Sequence, residues 1–202
     1  MSNLATLLTL ADSRLPTGGH VHSGGVEEAV TSGLLTDVAT LRALLVRRIR
    51  TSGVVAASIA VAVHTGTLDP GAADAETDAR TPAPAAREAS RARRVWPRQA
   101  WDTLGSRPHL PVAAGTVAAA ADLDPGQTAL SVVYTTMTGS ATAAQRLLAL
   151  DPADVAALTF ELSGLCDEVA AKALTGLADL SDPLLDVLAQ RHTERDRPLF
   201  VS

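Results

Sequence analysis

Apolar positions recur along this chain three and four residues apart, and that spacing predicts helices from one end to the other. Leu41, Leu44, Leu45 and Ile49 form one such stripe, with Thr36 as a candidate cap. Arg42, Arg47, Arg48 and Arg50 cover much of its other face, which suits either solvent or an acidic partner. Val54 to His64 is apolar nearly all round, so this helix is expected at the centre of the molecule. His64, near its end, suits packing or the helix dipole better than ligation. Asp124-Pro125, Asp151-Pro152 and Asp182-Pro183 each set a capping carboxylate before a proline at a first helical position. The segments they open carry Leu130, Val133, Tyr134 and Met137; Val155, Leu158, Leu162, Leu165 and Val169; and Leu184, Val187 and Leu188. No stretch shows convincing strand alternation between hairpin turns.

Residues 66–87 break the pattern. Gly66, Pro70, Gly71, Pro82 and Pro84 interrupt an Ala/Asp/Thr mixture, which predicts a loop or a frayed helix. Beyond it, Arg87, Arg91, Arg93, Arg94 and Arg98 surround Trp96, a basic patch that reads as a contact surface or as a solvated helix with the ring turned inward. Pro97, Pro108 and Pro111 break helices on either side of Trp101. The expected architecture is all-α: one domain over residues 1–202, a bundle of about 8–10 helices with an ordered Gly-rich N-terminal loop.

That loop holds the densest set of special residues. Residues 12–27 read Asp-Ser-Arg-Leu-Pro-Thr-Gly-Gly-His-Val-His-Ser-Gly-Gly-Val-Glu. Glycine serves where the backbone needs positive φ or a close approach, and Pro16 holds Leu15 extended. A P-loop would close on Gly-Lys-Ser/Thr, but the only lysine is Lys172. A dinucleotide fingerprint needs spaced glycines after a strand, whereas these come in pairs after a helical stretch. His20 and His22 could offer two imidazoles to a metal, with no Cys or acidic residue close enough to complete an obvious site. The plainer alternative is a structural loop in which Ser23 caps a helix starting near Val26 and Glu27.

Composition narrows the functional classes. Hydrophobic residues make up 47% of the 202 positions, enough for a packed core, yet aromatics are only 2%. Single-stranded nucleic-acid readers need stacking rings, and the net charge of −5 disfavours duplex binding. Cys166 is the only cysteine, which excludes an internal disulfide and fits a reducing compartment; a small core residue is its expected role. Leu4 to Leu10 lacks the basic flank of a signal peptide, and the longest apolar run, Val54 to Val63, is too short to span a bilayer. A cytoplasmic, non-membrane protein is expected. No Ser/His/Asp order, His-Glu-x-x-His or recognisable carboxylate pair points to catalysis, so no catalytic, cofactor or metal residue is nominated.

The N-terminal segment resembles the signature of the urease accessory protein UreF family, roughly Leu-x-Leu-Ser-Asp-Ser-x-Leu-Pro-Thr-Gly-Gly-Phe-Ser-His-Ser-x-Gly-Leu-Glu. Asp12, Ser13, Leu15, Pro16, Gly18, Gly19, His22, Ser23, Gly25 and Glu27 match; His20 departs from the usual aromatic, and Val26 stands for leucine. Gly139, Gln145, Arg146, Leu147 and Leu148 are similar to the family's Gly-Gln-x-x-x-Gln-Arg-Leu-Leu. On a helix Gly139 permits another backbone to approach, and Gln145 and Arg146 form either an interfacial or a plain surface pair. At the C-terminus His192, Leu199, Phe200 and Ser202 match the family ending, while Pro198 and Val201 replace two arginines. This tail, 193–202, reads as a docking peptide or as packing onto its own domain.

The resemblance implies a non-enzymatic scaffold, itself a homodimer, that works with UreD (also called UreH) and the GTPase UreG to deliver nickel to apo-urease. Modulation of the GTPase is a further implied role. No cofactor of its own is implied, since nickel is handled through partners. Pro16, Gly18, Gly19, His22, Ser23, Gly25, Glu27, Gln145, Arg146, His192, Leu199, Phe200 and Ser202 are the partner-contact candidates. The alternative is a small helical nickel carrier using His20 and His22.

Overall fold

The computed structural model of the chain describes residues 3–12, 24–92, 100, 102, 104–180 and 182–192. In chain order the helices are α1 (Leu4–Leu10), α2 (Val26–Thr31), α3 (Val38–Arg48), α4 (Val54–His64), α5 (Pro70–Arg80), α6 (Pro84–Ala89), α7 (Leu110–Ala120), α8 (Pro125–Leu148), α9 (Pro152–Glu161), α10 (Ser163–Ala173) and α11 (Pro183–His192). Among the described residues the only extended pairing is an isolated bridge between Arg91 and His109. The all-α, single-domain expectation therefore holds, while the Gly-rich loop it included lies mostly outside the described residues.

Local chemistry explains most helix starts. Asp124 accepts from Gln127 N–H at 2.9 Å while the Gln127 side chain accepts from Asp124 N–H at 3.0 Å, a reciprocal cap ahead of Pro125. Asp151 accepts from Ala153 N–H at 2.8 Å. For α3 the cap is Asp37 rather than Thr36: its carboxylate accepts from Thr40 N–H at 2.8 Å, and a carboxylate ahead of N1 can close this pair while Thr36 sits one residue too early.

Of the two readings of residues 66–87, a loop or a frayed helix, the structure shows helix, in α5 and the start of α6. Asp69-Pro70 is a fourth use of the same start signal, with Asp69 accepting from Gly71 and Ala72 N–H at 3.0 Å each, and Pro84 stands at the start of α6. These prolines begin helices instead of ending them. A second difference lies between α3 and α4. Ile49–Gly53 forms a π turn that joins them into one rod, so Thr51, Ser52 and Gly53 widen the helix without breaking it.

The core forms around α8. Thr128, Ala129, Val133, Met137, Ala141 and Ala144 point inward from it, and α4, α10, α2, α9 and α3 pack against it. Val54 to Ala62 of α4 is buried almost all round, as its composition predicts. Leu41, Leu45 and Ile49 are fully enclosed; each such side chain contributes about 1.5–3 kcal/mol relative to exposure. Alanine sets the spacing where α4 meets α7, and Gly115 goes further: a Cβ there would lie 2.3 Å from the Ala60 carbonyl oxygen. Gly139 is the reverse case. It is exposed with nothing within 4 Å of its Cβ position, so the close approach expected of it does not occur within the described chain. Cys166 is buried, its Sγ 3.7 Å from Met137 Sδ, and burial with the Asp167 charge pushes its thiol up to about 11. No described helix is long and apolar enough to cross a membrane.

Candidate functional site

Two segments nominated from sequence converge where α2 meets α11. α2 starts after Gly25, whose φ of +88° belongs to the left-handed region where a side chain is strained. A Cβ on Gly25 would also meet Leu188 Cβ at 3.0 Å and Ala189 N at 3.6 Å, so glycine lets the first turn of α2 lie directly on α11. One turn further, Glu27 is 2% exposed and His192 1% exposed; His192 Nδ1 lies 3.7 Å from Glu27 Oε2. Burial of a carboxylate needs a nearby polar or cationic partner, and the last residue of α11 supplies one. The described chain thus pins the exit of the Gly-rich loop beside the start of the C-terminal tail.

The far end of α11 is fixed by charge. Asp182, 6% exposed, accepts a bifurcated hydrogen bond from Arg47 Nε–H at 2.8 Å to each oxygen, one from Thr51 Oγ1 at 3.0 Å, and one from Leu185 N–H at 3.3 Å. Burial pushes the Asp182 carboxyl up, but these donors together outweigh it and hold it below the ordinary 3.8. Arg48, the next residue on α3, turns to the loop exit and donates from Nη1 to the Gly24 carbonyl at 2.7 Å. Desolvation pulls the Arg48 guanidinium down to about 10, with the Asp182 charge opposing. Its Nε is enclosed without a hydrogen-bond partner among the described residues. Any side chain on Gly24 would collide with the Arg48 guanidinium, and φ there is +57°.

These contacts settle much of the arginine face. Arg47 and Arg48 are used inside the chain, and Arg42 donates to Glu161 at 3.0 and 2.8 Å across α3 and α9. Arg50 is exposed. In the second basic stretch, Arg87 donates to the Thr81 carbonyl at 2.6 Å and Arg91 to Asp78 at 3.1 and 3.2 Å. Arg93, Arg94, Trp96 and Arg98 lie outside the described residues.

Of the partner-contact candidates, Pro16, Gly18, Gly19, His22, Ser23, Leu199, Phe200 and Ser202 lie outside the described residues. Gly25, Glu27 and His192 are brought together as above. Because Glu27 and His192 are buried, any part they take in partner binding is one of positioning, not direct contact. Gln145 and Arg146 sit apart in the last turn of α8, Gln145 half-buried and Arg146 exposed, and the Gln145 carbonyl accepts from Leu150 N–H at 3.1 Å to close the helix end. Sequence reasoning missed Arg48 on Gly24 and Arg47 on Asp182. The latter partners are 135 residues apart and no local pattern links them; Asp182 was legible only as a cap.

The described residues hold no group of three or more His, Cys, Asp or Glu side chains suited to a metal ion. His20 and His22 lie outside them. His64 is engaged by Thr128, Nδ1 to Oγ1 at 2.8 Å, and burial lowers its proton affinity against the pull of Asp124.

The UreF family profile matches residues 35–163. Over the full length of both chains, the sequence is 74% identical to the urease accessory protein UreF of Mycobacterium sp. (strain JLS) and 71% identical to that of Mycolicibacterium vanbaalenii. The urease accessory protein UreF of Mycobacterium bovis is 65% identical, again over the whole of both chains.

Proposed function

The chain belongs to the UreF family of urease accessory proteins, and we propose that within urease maturation it acts as a non-enzymatic scaffold. In this reading it assembles as a homodimer in the cytoplasm with UreD/UreH and the GTPase UreG, and orders them so that nucleotide turnover is coupled to nickel transfer into apo-urease. A scaffold that prefers the GTP-bound GTPase is bound more tightly by that form in return, which is how it would modulate turnover. It needs no cofactor, because the metal travels through partners.

The observation that supports this best is the pinning of the loop exit to the tail start. Gly25 on Leu188, Glu27 beside His192 and Arg48 on Gly24 fix the points from which residues 12–23 and 193–202 depart. Anchoring residues held together in this way suit a shared partner surface, because anchors fixed in advance lower the entropy lost on binding.

Co-purification with UreD/UreH-, UreG- and urease-type proteins tests the proposal, using the intact chain and a form ending at His192. Ending there leaves the buried Glu27–His192 contact in place. A complex formed by the intact chain and weakened by the truncation supports the scaffold. An intact chain that forms no complex refutes it.

A further inference from the structure

Away from α2 and α11, residues 90–92 and 108–110 form a narrow neck. Ala92 N–H donates to the Pro108 carbonyl at 2.8 Å and Leu110 N–H to the Ser90 carbonyl at 2.6 Å. Side chains of α5 close the neck from one side. Asp74 Oδ1 accepts from His109 N–H at 2.8 Å, and Asp78 Oδ1 lies 2.9 Å from His109 Nε2. Arg91 ties both carboxylates, with Nη2 on Asp78 at 3.1 and 3.2 Å and Nη1 3.5 Å from Asp74 Oδ2. It also donates to the Arg107 carbonyl at 3.1 Å. Among the described residues, Ala92 and Ala113, with Leu104 and Leu110 against them, form a small apolar cluster beside the main core, and Arg107 pairs with Glu88. Regions with so few buried contacts open at lower cost than the core does.

His109 is fully buried, and its Nδ1 has no hydrogen-bond partner among the described residues. With Nε2–H donated to Asp78, a neutral ring leaves Nδ1 a bare acceptor, which is tolerable. Protonation turns it into a buried donor with nothing to accept it, beside the Arg91 guanidinium. The charged groups facing the ring and its carboxylate are Asp74 and Asp78 from α5, Arg91 from the neck and Arg87 from α6.

We propose that His109 is a pH-sensitive latch: neutral, it pins the 90–92/108–110 neck to α5; protonated, it lets the neck open. Burial is the largest influence on the ring and, with Arg91, outweighs the pull of Asp78 and Asp74, so its proton affinity is below the ordinary 6.5 in the closed form. The opened form therefore binds the proton more readily. The stability this histidine lends the neck is present above about pH 6.5 and is lost as pH falls below it. Asp78, held below 3.8 against the opposing effect of burial by His109 and the arginines, titrates in a lower window and does not confuse the signal. The latch is independent of the urease reading, and its test needs no partner.

Hydrogen exchange of the isolated chain between pH 8 and pH 5, corrected for intrinsic exchange, reads the opening. The Ala92 and Leu110 amides should show an opening constant that rises as pH falls through 6.5, by no more than about tenfold per pH unit for one proton. Amides of α8 around Met137 should not follow. His109→Gln keeps a donor for Asp78 and cannot titrate, so its neck should lose the pH dependence. An unchanged slope in that variant, or neck protection that holds or rises on acidification, overturns the latch. If the variant fails to fold, NMR titration of the native His109 ring decides: a value below 6.5 supports the latch, and one at or above 6.5 overturns it.

Discussion

Gly25→Ala adds one methyl group at the centre of the proposed site, and its cost follows from two structural features. The φ of +88° places an alanine in the left-handed region, which costs about 1–2 kcal/mol. The new Cβ would sit 3.0 Å from Leu188 Cβ, and Leu188 is 2% exposed, so it cannot swing into solvent. Overpacking of that kind adds about 1 kcal/mol at the low end of its range. Lower entropy of the unfolded alanine chain returns only about 0.5 kcal/mol. The net loss is about 2 kcal/mol, which for a chain of this length lowers the melting temperature by about 4–8 °C. Urea unfolding followed by far-UV circular dichroism measures it directly. Two further alanines calibrate the result. Gly139→Ala, exposed in mid-helix with open space at Cβ, should stabilise by about 0.5–1 kcal/mol. Gly115→Ala, whose Cβ meets the Ala60 carbonyl, should cost about 3 kcal/mol because two helix backbones must part. A Gly25→Ala protein as stable as the native one, alongside the expected shifts at the other two, would refute the packing of α2 on α11.

Asp182→Asn should destabilise by about 2 kcal/mol in urea unfolding, since it weakens charged hydrogen bonds from Arg47 and Thr51. The Asp182 carboxyl is held below 3.8, so its contribution is present above that pH and is lost as pH falls through the lowered value; the variant's stability should change less with pH there than the native protein's. Cys166, buried with its thiol raised to about 11, should resist a thiol reagent at pH 8 in the folded chain and react at once in denaturant; rapid native labelling would contradict its placement.

Helix spacing and the Asp-Pro starts made the fold legible in the sequence, because both depend on residues a few positions apart. Misreadings arose where one signal serves two ends. Pro70 and Pro84 read equally as interruptions, because proline is as suited to the first turn of a helix as it is harmful within one. The π turn at Ile49–Gly53 has no signal in the apolar spacing, which marks only the helices on either side of it. At the site, Gly25 and Glu27 were found through a resemblance, and His192 likewise. That they meet was not legible, since nothing local connects residue 27 with residue 192. The same holds for His109, whose partners Asp74 and Asp78 lie in a segment that composition leaves open as a loop or a frayed helix.

The central claim is that this chain organises partners and does not carry the metal itself. Its most direct test combines UreD/UreH- and UreG-type proteins with the intact chain, and measures both complex formation by size exclusion and nickel bound by the chain alone. The scaffold account predicts a stable complex and no tight stoichiometric nickel on the isolated chain. Tight nickel binding lost in the His20→Ala, His22→Ala double variant, without any complex, would contradict it and establish the carrier instead.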